Sequence, residues 1–219
     1  MLICELKAAF NNQAVRRVKD YYFKQGPDLL DPAIHQIRLK QRPKLDELTE
    51  RLEALGWDFV GSGSFSIVFA KPGVPYVLKV NKMNDPGFAL FANVLKKFPN
   101  KHFPRIGKVK SFSIDGLVYK IYLVEKLRPL TGITGNIAQT LSRMAWTGNI
   151  QLAIDLAYPE VRDILEKQPG LITATEIIRA NRNETLDIDL HSANVMQRKD
   201  GTIVIIDPYV KIRQKASVS

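Results

Sequence analysis

The sequence predicts an α+β protein of two lobes: a small antiparallel-sheet half, then a reduced helical half, with extra helices at the N-terminus. Three observations carry this. Runs of β-branched and aromatic residues punctuated by Gly, Pro and Asp crowd residues 57–81 and 108–124. From about 135 to 183, apolar residues recur at helical spacing instead. The same spacing occupies much of the first 55 residues. The expected divisions are an N-terminal helical extension over 1–55, the sheet lobe over 56–128, the helical lobe over 129–210 and a basic tail over 211–219.

In chain order, Leu6, Phe10, Ala14, Val18 and Tyr21 predict a helix over 5–24, broken by Gly26-Pro27-Asp28. A short helix fits 32–39. A third fits 43–55: Pro43 suits a first turn, Leu45, Leu48, Leu52 and Leu55 form one face, and Gly56 ends it. His35, a lone histidine, reads as a surface or packing residue. Strands are expected at 57–61, 65–71 and 75–81, a helix at 86–98, and strands at 108–112 and 117–124 around Asp115-Gly116. Residues 125–129 read as the connection between lobes, and Gly132 and Gly135 as loop. Helices follow at 135–146, 150–166 and 173–183. Val195 and Met196 begin a strand, Lys199-Asp200-Gly201 makes a tight turn, and Thr202 to Ile206 form the returning strand, at whose end Asp207 stands.

Composition narrows the function classes. With 219 residues and 45% hydrophobic content the chain can bury a core. Cys4 is the only cysteine, which excludes an internal disulfide and fits a reducing compartment. No apolar run reaches spanning length and the start does not read as a secretory signal, so a soluble intracellular protein without a membrane partner is expected. The net charge of +10 favours polyanionic partners such as nucleotide phosphates. The basic residues are dispersed, however, and no dedicated nucleic-acid site is indicated.

The residues with chemistry cluster in two places. Asp189 and Asn194 sit in a polar loop, and Asp207 follows a buried strand. A loop, a hairpin and a terminal Asp can bring two carboxylates and an amide oxygen together, and such hard oxygen donors suit Mg²⁺ held on nucleotide phosphates. Singly, each acid reads as structural, a turn former at a strand end. Gly61 and Gly63 lie in the first turn of the sheet lobe, where the lack of Cβ lets backbone N–H groups approach phosphates. A lone Gly-x-Gly is also a plain hairpin. Its company is Phe65, Val68 and Lys79, the last flanked by Val77, Leu78 and Val80, where an ammonium is costly to bury without an anion.

Together these motifs resemble a minimal protein-kinase-like phosphotransferase. Gly61-Ser62-Gly63-Ser64-Phe65-Ser66-Ile67-Val68 is similar to the Gly-rich loop, with Ser66 in place of its third glycine. Val77-Leu78-Lys79 resembles the lysine strand, Asp189-Leu190-His191-Ser192-Ala193-Asn194 the catalytic loop, and Asp207-Pro208-Tyr209 the metal-binding segment. The likeness covers about residues 55–210 and is greatest to the early serine/threonine kinases of short-tailed lytic bacteriophages. Those kinases can carry a further basic C-terminal region. Only twelve residues follow Asp207, so that region is expected to be absent.

The resemblance implies ATP and Mg²⁺. Asp189 would orient the acceptor hydroxyl and take its proton. Asn194 and Asp207 would hold metal, and Lys79 would neutralise the α/β-phosphates. Backbone donors of Ser62 to Ser66 would cover the β/γ-phosphates. Val68, Val124, Glu125 and Leu127 would meet adenine, the last two through the Glu125 carbonyl and Leu127 N–H. It further implies host bacterial proteins as acceptors, transcription and translation components including RNA polymerase among them, and the host bacterial cytoplasm as location. Three departures stand against the pattern. Ile188 replaces the arginine before the catalytic Asp. No glutamate occurs between Lys82 and Val124 to pair with Lys79, leaving Asp85 or Asp207 for that role. Too few residues follow Asp207 for a full activation segment. Two rivals remain at this point: a small-molecule phosphotransferase of the aminoglycoside type, which shares the Asp-Leu-His-x-x-Asn loop, and a pseudokinase that inhibits host machinery by binding.

Overall fold

The structure is a computed structural model that describes residues 46–63, 66–81, 85–107, 110–114 and 117–212. The expected helices at 5–24 and 32–39, the start of the helix at 43–55, His35, Ser64, Phe65 and the end of the tail lie outside the described residues. The chain forms two compact units: Met1–Asn84 with Gly107–Lys126, and Asp85–Ile106 with Leu127–Ser219.

In the first unit a helix, α1, covers 46–54. Leu48 and Leu52, four apart, lie on one face and are buried with Trp57, Ile67, Phe69, Leu78, Val80 and Ile121. Each such side chain contributes about 1.5–3 kcal/mol on burial. Gly56 ends α1 with φ of 78°. Its N–H donates to Glu53 O (2.9 Å) and that of Trp57 to Leu52 O (2.9 Å), a Schellman closure that only glycine adopts without strain. The sheet follows: β1 (Asp58–Ser62), β2 (Ser66–Ala70), β3 (Tyr76–Asn81), β4 (Lys110–Ile114) and β5 (Leu117–Glu125), antiparallel in the order β1-β2-β3-β5-β4. The expected strands are all present, displaced by two residues or fewer. Alternate residues face α1, and Phe59 meets Phe69 edge-on at 6.1 Å.

The second unit is mainly helical: α2 (Pro86–Lys97), α3 (Thr134–Thr147), α4 (Ile150–Asp155), α5 (Pro159–Lys167) and α6 (Gly170–Ala180). The helix expected at 150–166 is two helices. Pro159 starts α5, and the residue before a proline is driven out of the α region, so Tyr158 is extended at φ −61°, ψ 149°. Gly135, expected in a loop, lies in the first turn of α3, and the left-handed turn falls on Gly132 instead. The helix expected at 173–183 runs earlier, Gly170–Ala180. Two small antiparallel sheets complete the unit: β7 (Leu186–Ile188) with β10 (Tyr209–Lys211), and β6 (Arg128–Pro129), β8 (Val195–Gln197) and β9 (Ile203–Ile205) in the order β6-β8-β9. The β8–β9 hairpin is the expected one. Gly201 takes φ of 84° at its turn, and Asp200 accepts from Thr202 N–H (2.9 Å), which lowers the pKa of its carboxyl. Phe91 of α2 packs edge-on against Phe103 (5.6 Å) and Tyr209 (6.4 Å).

Candidate active site

The second unit assembles Asp189, Asn194 and Asp207 through backbone bonds. Asp189 follows β7, and Ile188 is registered opposite Tyr209. One step on, Asp189 N–H donates to Pro208 O (2.8 Å), which fixes the catalytic-loop candidate beside the residue after Asp207. On the other flank Ile206 N–H donates to Asn194 O (3.0 Å), one step beyond the Val195–Ile205 pair. Asp207 is therefore bracketed by two bonds to the loop that carries Asp189 and Asn194. Such bonds fix position more than they stabilise, at about 0.5–1.5 kcal/mol net each.

Asn194 ends a 3₁₀ turn, Ser192–Asn194, and is buried. Its Nδ2 donates to Asp189 O (2.6 Å). His191, to which the sequence assigned no role, contacts this pair. Its Nδ1 accepts from Ala193 N–H (3.2 Å), its Nε2 lies 3.6 Å from Asp189 Oδ2, and Asn194 Nδ2 approaches Nε2 at 3.1 Å. The signal was present in the Asp-x-His spacing of the loop.

No group of three or more His, Cys, Asp or Glu able to hold a metal occurs among the described residues. The oxygen donors of Asp207 and Asn194, with Asp189 beside them, suit a Mg²⁺ ion that arrives on phosphates and keeps part of its water, since that ion needs only one or two protein carboxylates. They would not make a closed protein cage.

In the first unit the register sorts the expected nucleotide residues by face. Lys79 pairs with Val68 on β2 and Tyr122 on β5, and Val77 pairs with Val124. Directly opposed residues share a face, so Val68, Lys79, Tyr122 and Val124 lie together on the face opposite α1. Lys79 is buried there, at 7% exposure. Gly61 and Ser62 end β1, Gly63 N–H donates to Ser66 O (2.9 Å), and Ser66 opens β2. Glu125 ends β5 opposite Tyr76, which turns its side chain to the α1 face. Leu127 begins the second unit's long segment. Alternation also places Asn81 beside Lys79. It is 2% exposed, and its carboxamide finds no hydrogen-bond partner among the described residues. Asp85 caps α2: its Oδ1 accepts from Phe88 N–H (3.0 Å).

Among the described residues no helix is long and apolar enough to cross a membrane. No curated protein matches the chain. Among solved structures it is similar to the kinase PK-1 of Cydia pomonella granulovirus at 12% identity and a TM-score of 0.37. That alignment covers 86% of this chain, which spans 63% of the viral kinase. The family described as bacteriophage T7 protein kinase 0.7 matches residues 24–215, nearly the whole chain. The motif arrangement and that match agree: the chain belongs to the bacteriophage T7 protein kinase 0.7 family.

Proposed function

We propose that this chain is an ATP- and Mg²⁺-dependent serine/threonine protein kinase, a phage early protein that phosphorylates host proteins such as components of transcription and translation. The observation that carries the reading is the bracketing of Asp207 by the backbone bonds that Asp189 N–H makes to Pro208 O and Ile206 N–H makes to Asn194 O, in a member of a phage kinase family. Asp189 would hold the acceptor hydroxyl in line and take its proton as the new O–P bond forms and the bridging O–P bond to ADP breaks. Asn194 and Asp207 would hold Mg²⁺, which when bound neutralises phosphate charge. Lys79 would bind the α/β-phosphates, the Gly61–Ser66 turn the β/γ-phosphates, and Val68 and Val124, with the backbone at Glu125 and Leu127, the base.

One observation weighs against an aminoglycoside acceptor. The groove beside Asp189 is lined by Arg143 and His191 and by no carboxylate, whereas a polycationic acceptor needs acidic partners. The test is incubation of the purified protein with Mg²⁺ and γ-labelled ATP, with bacterial lysate in one arm and an aminoglycoside panel in another. Label on host Ser or Thr, lost about 10²–10⁴-fold in Asp189→Ala, is the expected result. Label on an antibiotic alone would reverse the assignment. A host effect that persists in Asp189→Ala would favour inhibition by binding.

A further inference from the structure

The loop carrying Asp189 borders a groove of about 530 Å³ lined by Gln139, Ser142, Arg143 and Trp146 of α3 and by Leu190 and His191, all within the second unit. We infer that this groove is the acceptor-docking subsite and that it selects a protein segment carrying Asp or Glu within about four residues of the phosphorylated Ser or Thr. The inference deepens the kinase reading and rests on it for the identity of the acceptor.

Charge and shape lead to that occupant. No acidic residue occurs between Glu125 and Asp155, so α3 presents Arg143 with no carboxylate of its own helix. Nor does Arg143 have a carboxylate partner among the described residues. Arg182, stacked over the Trp146 ring at 5.4 Å, is already paired with Asp187 at 3.5 Å. That leaves Arg143 as the groove's unneutralised guanidinium, a donor fork suited to a carboxylate. Trp146 is 50% exposed and offers an indole face to an apolar neighbour. Leu190 follows Asp189 directly, so the groove starts one residue from the acceptor hydroxyl's expected position. From Gln139 to Trp146, α3 rises about 10 Å, the reach of about three extended residues.

The test uses the full chain and Ser-centred peptides of matched length carrying acidic, neutral or basic flanks. Binding is read by fluorescence anisotropy and phosphorylation by label transfer. The acidic peptide should bind about tenfold more tightly than the neutral one. Arg143→Gln should reduce that preference and Arg143→Glu invert it toward basic flanks, with melting curves confirming that both variants fold. Equal binding of all three peptides, or a preference unchanged in Arg143→Glu, would overturn the subsite. So would competition by an RNA oligomer matching that of an acidic peptide of equal charge, which would mark a general polyanion surface. Selective binding without any label transfer would leave the subsite standing and refute the kinase reading instead.

Discussion

Replacing Gly87 by alanine gives a sharp test of how α2 seats the segment after Asp207. Gly87 is the second residue of α2, where helix propensity alone favours alanine by up to about 1 kcal/mol. The packing predicts the reverse. A methyl carbon there would stand 2.4 Å from Tyr209 O and 3.0 Å from Tyr209 C, backbone atoms that cannot rotate aside. Real methyl carbons rarely approach closer than about 3.0 Å, so α2 and β10 must separate by roughly 0.6 Å. Overpacking of that kind costs about 1–3 kcal/mol. Tyr209 is also held by Phe91 and by its hydroxyl, which donates to Ile178 O (2.8 Å), so the strain cannot be relieved by moving Tyr209 alone. At the middle of that range and with the full propensity gain subtracted, the net loss is about 1 kcal/mol, or roughly 2–4 °C in Tm for a chain of this size. Differential scanning calorimetry reads it directly. Since Asp207 lies two residues before Tyr209, Mg²⁺ titration of the nucleotide complex should show weaker metal binding in the same variant. An unchanged or raised Tm would refute the reasoning.

Two further outcomes follow from buried polar groups. His102 is buried, its Nδ1–H donates to Ile203 O (2.7 Å), and burial holds its pKa below the ordinary 6.5, with Lys101 and Arg198 adding to the effect. The fold therefore holds a neutral imidazole that the unfolded chain would protonate. Stability is full above pH 6.5 and falls as pH drops below it, by up to about 1.4 kcal/mol per unit until the folded group also titrates. Thermal melts from pH 8 to 5 should show this slope in the parent and a shallower one in His102→Gln; equal slopes would contradict it. Asn81→Leu removes a buried carboxamide without a hydrogen-bond partner among the described residues, so it should raise Tm by about 2–6 °C. A fall in Tm would mean that the carboxamide is bonded in solution.

Much of the local structure around the candidate site residues was legible because it depends on short stretches of sequence. Val77 to Lys79 lies within β3, Gly61 to Val68 joins the end of β1 to β2, Asp189 to Asn194 follows β7, and Thr202 to Asp207 surrounds β9, each in a stretch whose residue types announce it. The β8–β9 hairpin follows from a β-branched run and an Asp-Gly turn. What the sequence leaves open depends on tertiary partners. The bond from Asp189 to Pro208 requires β7 and β10 to pair across twenty residues. Asp85 was an acid without a role until α2 placed Phe88 N–H against it. The break between α4 and α5 was readable from Pro159, but the apolar periodicity on both sides hid it. Arg143 reads as one more surface cation on an amphipathic helix, and only its position beside Leu190 and His191 gives it meaning.

Under the kinase reading, Lys79 and Asp207 each contribute to binding of the Mg²⁺–nucleotide complex. Calorimetric titration of the full chain with a non-hydrolysable ATP analogue and Mg²⁺ tests it most directly. One site per chain is predicted, weakened at least about tenfold by Lys79→Ala and equally by Asp207→Ala. Binding that survives either substitution undiminished, or no binding in the parent, would contradict the account.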